Sequence, residues 1–137
     1  MKHNVKADWK GLMQFNANVN GHELIMDANE ASGGQDKGVR PKELMLTALA
    51  GCTGMDVISI LKKMRVDLDR FNVNVEGELT EEHPKHYTKI HITYQFSGKD
   101  LDKDKLQKAI ELSKDRYCGV AHVYKKVMEL TYSIEIM

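Results

Sequence analysis

The sequence predicts an α+β fold, and three observations support this prediction. Segments in which apolar and polar residues alternate, as they do in half-buried strands, occur near both ends of the chain and in its middle. A long proline-free stretch of helix formers follows the first of these segments. Strands and helices do not alternate regularly, so the pattern does not match a doubly wound sheet. It favours an α+β domain with a long central helix.

The N-terminal region is predicted to contain a β-hairpin. Residues 12–19 and 22–27 flank Asn20-Gly21, a pair that tolerates the positive φ angles of a type I′ turn. Residues 28–40 are polar, contain glycine and lack an apolar period, so they predict a loop.

The central helix is predicted to begin at Pro41, which suits the first position of a helix, and to run over residues 42–64. Its first half, LMLTALAGCTGM, is apolar almost all round, which predicts a helix enclosed on several sides. Cys52 lies in this half, between Gly51 and Gly54.

The second half of the chain predicts two strands, two helices and a last strand. The strands lie on either side of a turn at EEHPKH, and a helix follows over residues 103–116. A break at Cys118-Gly119 precedes a short helix that ends near Lys126, and residues 130–136 alternate as a strand. The inner side of the helix over 103–116 is predicted to carry Leu106, Ala109, Ile110, Ser113 and Tyr117.

Composition limits the classes of partner. The chain has 137 residues, 42% of them apolar, which fits one domain over residues 1–137. Basic and acidic residues number 20 each, so no charge pattern recommends nucleic acid or anionic lipid. The longest apolar stretch, residues 44–50, is too short to cross a bilayer, and the first residues lack the apolar region of a signal peptide. We expect a soluble, cytoplasmic protein.

Cys52 and Cys118 are the candidate reactive residues. A single helical cysteine such as Cys52 is usually an inert core residue. Cys118 directly precedes a predicted helix, whose free N–H groups and dipole would lower the pKa of its thiol, with Arg116 adding to the effect. Two such thiols could reduce a peroxide, one forming a sulfenic acid and the other condensing with it to a disulfide. This requires that the fold bring the two residues together.

The stretch GGQDKGVRPKELMLTALAGCTGMDVISILKKM resembles the signature of the OsmC/Ohr superfamily, and Cys118 in RYCGVAHV lies where that family places its second cysteine. The resemblance implies antiparallel sheets around a long central helix and an intertwined two-fold homodimer. It also implies a thiol peroxidase acting on organic hydroperoxides in the oxidative stress response. Cys52 would attack, Cys118 would resolve, and a dithiol would restore the pair without a cofactor.

Three departures place the sequence near a less characterised branch of OsmC-like proteins. The family's peroxidases use an arginine from the N-terminal strands, and here no arginine precedes Arg40. Their Asn-Pro-Glu pattern is replaced by Arg40-Pro41-Lys42, with Glu43 one place later, and their Cys-Pro is Cys118-Gly119. Arg40 and Glu43 are therefore the candidate accessory residues. Asp56, one helical turn after Cys52, would raise the pKa of that thiol unless it is paired.

Two other functions stay open. Cys118 and His122, four residues apart, could join Cys52 in holding a soft metal, but two closely spaced ligands are few and we predict no metal site. A non-enzymatic protein could bind a small hydrophobic ligand or sense redox state, for which the many methionines would provide adaptable apolar surface.

Overall fold

The computed structural model describes all 137 residues and divides into two compact units, residues 1–45 and 46–137. The first unit contains strands β1 (Lys6–Trp9), β2 (Phe15–Val19) and β3 (His22–Met26), and the long helix α1 (Leu44–Lys63) begins at its end. The second unit holds the rest of α1 and the remaining elements. These are β4 (Arg70–Leu79), β5 (Tyr87–Ser97), α2 (Lys103–Leu112), α3 (Gly119–Tyr124) and β6 (Glu129–Ile136).

The first unit is a three-stranded antiparallel sheet in the order β1-β2-β3. The predicted hairpin is confirmed, because Asn20 and Gly21 have φ angles of 52° and 81° and connect β2 to β3. Strand β2 begins at Phe15, since Leu12 has a φ of 48° and belongs to the preceding turn. Strand β1 was not predicted, because its four residues are all exposed and give no buried alternation.

The loop over residues 28–40 is shaped by Asp27 and by two glycines. Asp27 accepts hydrogen bonds from the backbone N–H groups of Ala28, Gln35 and Lys37. A side chain at Gly34 or Gly38 would collide with the backbone of the segment that the loop folds against. A one-turn 3-10 helix, Glu30–Ser32, lies within the loop. The predicted loop thus contains one short helical turn.

Helix α1 starts at Leu44, three residues later than Pro41. The bonds from Leu44 N–H to the Pro41 carbonyl and from Met45 N–H to the Lys42 carbonyl form turns before the helix. By length and composition alone, Leu44–Lys63 is long and apolar enough to cross a membrane. The prediction that no segment could cross a bilayer considered only residues 44–50 and is wrong by this measure. Helix α1 packs one face, Leu49, Thr53, Val57 and Leu61, into the protein core, and the prediction that it is enclosed on several sides is wrong for the single chain, since Met55 and Ile58 are exposed.

The sheet of the second unit has the order β4-β5-β6. Strands β4 and β5 form the predicted antiparallel hairpin, whereas β6 runs parallel to β5, so this sheet is not purely antiparallel. A parallel neighbour needs a long crossover connection, which α2 and α3 supply. The hydrophobic core lies between this sheet and the helices, and its largest members include Leu49, Leu61, Ile90, Ile92, Tyr94, Phe96, Leu106 and Ile110.

The segment after α2 differs from the predicted helix over 103–116. Regular α-helix ends at Leu112, and Ser113–Tyr117 form a π-helical turn closed by the bond from Cys118 N–H to the Ser113 carbonyl. The wider turn changes the direction of the following side chains. Tyr117 is consequently 57% exposed, and its predicted inner position is wrong.

Candidate active site

The fold brings Cys52, Asp56 and Cys118 together. Their sulfur and carboxylate oxygen atoms all lie within 4.8 Å of one another. Cys52 and Asp56 share one face of α1 because they are four residues apart. Cys118 lies at the junction between the π-helical turn Ser113–Tyr117 and α3, and from there its side chain reaches Cys52 and Asp56. The two cysteines that are distant in sequence thus form one site.

Cys118 is buried and protonated at neutral pH. Burial raises the pKa of its thiol from 9.0 to about 11, against the N–H of Ala121, which donates to Sγ at 3.4 Å and favours the thiolate. The prediction that the helix start lowers the pKa of Cys118 is therefore wrong. One N–H donor does not compensate for the lost solvation of the charged sulfur.

The two thiols are close neighbours that differ in exposure. After burial, a hydrogen bond with Cys52 and the charge of that neighbouring sulfur also raise the pKa of Cys118. Cys52 is only partly buried, whereas Cys118 is 2% exposed. Cys52 is thus the more exposed of the two residues.

Asp56 is held by a chain of buried hydroxyl groups. Ser113 donates to its Oδ2 at 2.9 Å, Thr53 contacts the Ser113 hydroxyl at 2.9 Å, and the Tyr94 hydroxyl contacts Thr53 at 2.7 Å. Burial raises the pKa of Tyr94 to about 12, although the hydrogen bond with Thr53 offsets part of this effect. The Tyr94 hydroxyl therefore stays neutral. No ion pair involves Asp56. Its negative charge therefore faces the two sulfurs without a neighbouring cation bound to it.

A surface hollow gives solvent a route to Asp56. It has a volume of about 260 Å³ and is lined by Asp56, Ser59, Ile60, Lys63 and Tyr117. The outward position of Tyr117, produced by the π-helical turn, places its ring at the wall of this hollow. The carboxylate of the cluster is accordingly accessible to small solutes.

The predicted accessory residues lie in the first unit. The Arg40 guanidinium forms an ion pair with Asp36 at 2.7 Å and donates to the Gly38 carbonyl at 2.9 Å. Burial would raise the pKa of Asp27, but its three backbone N–H donors and the charge of Arg40 lower it overall. These contacts assign Arg40 a part in holding the loop. Its predicted role toward Cys52, and that of Glu43, stay predictions.

Three site residues escaped the sequence-based predictions, namely Thr53, Tyr94 and Ser113. Each looked like an ordinary core position, since Ser113 and Tyr94 followed the apolar period of their elements. Thr53 offered one signal, because it is a polar residue on the buried face of an apolar helix, where hydroxyl groups need partners. His122, which the sequence analysis considered and set aside as a metal ligand beside Cys118, is exposed and is not part of the cluster, whose third member is Asp56.

Comparison with known proteins gives one consistent family. A model of the OsmC-like protein family matches residues 34–133. Protein YhfA of Escherichia coli is 34% identical over 133 residues, which cover 96% of each chain. The crystal structure of a hypothetical protein from Aquifex aeolicus matches with a TM-score of 0.85 at 28% identity, covering 100% of this chain and 98% of the other. The organic hydroperoxide resistance protein OhrB of Bacillus subtilis matches with a TM-score of 0.65 at 16% identity over 98% of each chain, a likeness of fold.

Proposed function

Because the chain belongs to the OsmC-like protein family, we propose that its Cys52 and Cys118 pair reduces organic hydroperoxides in protection against oxidative stress. The observation that carries this proposal is the convergence of the two sulfurs within 4.8 Å. A solved relative in fold is named for organic hydroperoxide resistance, which gives the chemistry its direction.

The reaction assigns different roles to the two cysteines. The sulfur of Cys52, the more exposed of the two residues, attacks the outer oxygen of the hydroperoxide. The O–O bond breaks, and the alkoxide leaves as the alcohol after taking a proton. The Cys118 sulfur, once deprotonated, then attacks the Cys52 sulfenic acid, releasing water and forming a disulfide. Two electrons have passed from the thiols to the peroxide. A small dithiol returns them by exchange.

The different burial of the two cysteines supports this order of events. Burial raises the pKa of Cys118 to about 11 and so keeps this residue protonated until the second step. A raised Cys118 pKa also slows that second step, because the thiolate is the nucleophile. Arg40 and Glu43 are proposed accessory residues for the first step.

The active protein is a homodimer in the cytoplasm, where reducing conditions keep both thiols free between reactions. An exposed apolar surface on α1 supports the proposal that a second copy of the chain packs against this helix. Met55 is 77% and Ile58 45% exposed, and they border an open groove with Gly51, Phe71 and Val73. Exposed apolar surface of this kind marks an interface in a soluble protein.

The test is a free-thiol count on reduced protein before and after one equivalent of cumene hydroperoxide, with mass spectrometry of the products. We expect both thiols to disappear with a Cys52–Cys118 disulfide as the product. Cys52→Ser should leave Cys118 unreacted, and Cys118→Ser should stop at a sulfenic acid that a dimedone probe captures. Equal peroxide consumption by Cys52→Ser and the native protein would contradict the mechanism.

A further inference from the structure

We infer that Cys52, Asp56 and Cys118 form a binding site for a soft divalent metal ion, with Zn²⁺ the best match. Two thiolates and a carboxylate are ligands that Zn²⁺ takes in proteins, and water would fill a fourth, tetrahedral position. This assignment does not depend on peroxide reduction, and it concerns the reduced protein.

The distances fit this metal. Bonds of about 2.3 Å to sulfur and about 2.1 Å to oxygen place the ligand atoms of a tetrahedral site roughly 3.6 to 3.8 Å apart. All three pairs of ligand atoms already lie within 4.8 Å, so small side-chain rotations complete the geometry. Cys52 and Asp56 approach from successive turns of one rigid helix, which fixes their relative position.

The groups around the ligands are those that orient metal ligands elsewhere. The Ser113 hydroxyl binds Oδ2 of Asp56 and leaves the other oxygen of that carboxylate for the metal. The N–H of Ala121 points at the Cys118 sulfur and favours a thiolate there. Both of these hydrogen bonds to the ligand residues are already formed in the metal-free protein. The hollow at Asp56 provides an entry path.

The test uses reduced, metal-free protein titrated with Zn²⁺ in competition with a coloured chelator, without peroxide. We expect one equivalent to bind. Cys52→Ser and Cys118→Ser should each weaken binding by at least about 100-fold, and Asp56→Asn by roughly tenfold. His122→Ala is the matched control, since it removes an exposed potential ligand close to Cys118, and it should leave the affinity unchanged.

Co²⁺ makes the test independent of small folding defects, because bound thiolate produces a charge-transfer band in the near ultraviolet. That band should form with the native protein and with His122→Ala and be absent in the double variant of both cysteines. Absence of binding to the native protein would overturn the site. So would Zn²⁺ affinity that both single cysteine substitutions leave intact, or a larger loss in His122→Ala than in Asp56→Asn.

Discussion

Ser113 donates a hydrogen bond to Oδ2 of Asp56 over 2.9 Å and so fixes a carboxylate within 4.8 Å of both cysteine sulfurs. Ser113 is fully buried and also contacts Thr53, so it has little freedom to release Asp56. A fixed negative charge beside two thiols opposes their ionisation and favours a bound cation. Peroxide reduction and metal binding therefore place opposite demands on Asp56.

Asp56→Asn should accelerate peroxide reduction. At about 5 Å, removing one negative charge changes the energy of a thiolate by roughly 1 to 3 kcal/mol after solvent screening, so we expect about a tenfold faster loss of thiols at neutral pH. Stopped-flow measurement with cumene hydroperoxide gives this rate. Asp67→Asn, a change at an exposed position of the same unit, is the control and should have no effect. A slower reaction in Asp56→Asn would mean that Asp56 takes up a thiol proton.

The raised pKa of Cys118 should make the stability of the reduced protein depend on alkaline pH. The folded state holds the Cys118 proton up to about pH 11, whereas the unfolded chain releases it near pH 9.0. The unfolded state thus binds fewer protons in this window, and the free energy of unfolding falls as the pH rises through it. A two-unit shift corresponds to a loss of at most about 3 kcal/mol.

Urea unfolding of the native protein and of Cys118→Ser, followed between pH 8 and pH 11.5, measures this contribution. The native protein should lose stability more steeply than Cys118→Ser above about pH 9. Burial raises the pKa values of Tyr94 and Tyr124, and the charge of Cys118 adds to both shifts, so the difference between the two curves reports Cys118 together with its effect on these tyrosines. Parallel curves would mean that the Cys118 pKa is the same in the folded and unfolded states.

Much of the fold could be predicted because its strands and helices have simple periods. Alternation at β4, β5 and β6 and the Asn20-Gly21 turn identified these strands correctly. Strand β1 gave no signal, because an exposed strand has no buried face to alternate with. The parallel pairing of β6 with β5 depends on where α2 and α3 carry the chain, which no local pattern encodes.

The site was predictable in its cysteines and not in its polar surroundings. The convergence of Cys52 and Cys118 followed from family resemblance alone, since sequence spacing does not report a contact between distant residues. The protonated state of Cys118 was mispredicted, because helix position can be read from sequence whereas the depth of burial cannot. The link from Ser113 to Asp56 joins two elements whose packing only the structure reveals.

Thr53→Val should destabilise the protein more than Tyr94→Phe. Thr53 is the shared partner of the Tyr94 and Ser113 hydroxyls, so valine leaves the buried Tyr94 hydroxyl unsatisfied, at a cost of about 1 to 3 kcal/mol. Tyr94→Phe removes that hydroxyl while Thr53 keeps Ser113, and about 1 kcal/mol is expected. The double variant should be more stable than the sum of the single changes predicts. Strict additivity in urea unfolding would show that Thr53 and Tyr94 are not coupled.

Arg40→Ala tests the contacts of the loop and the predicted accessory role at once. The ion pair of Arg40 with Asp36 is partly exposed, so its loss should lower the free energy of unfolding by less than about 1 kcal/mol. Asp36→Ala is the matched variant that breaks the same pair and keeps the arginine. If the rate of thiol loss falls in Arg40→Ala and not in Asp36→Ala, the result supports a role of Arg40 toward Cys52. If the two variants lose thiols at the same rate, that role is excluded.

Met55→Glu together with Ile58→Glu should convert the proposed dimer to a monomer. Both side chains are exposed on α1 at the border of an apolar groove, so a carboxylate at each position costs little in a single chain and opposes burial against a second copy. Light scattering coupled to gel filtration measures the mass. Lys62→Glu, a charge change at the exposed end of the same helix, is the control and should stay dimeric. A native protein that is monomeric would exclude the dimer, and a double variant that remains a dimer would place the interface elsewhere. Either result would leave this apolar face available for a hydrophobic ligand.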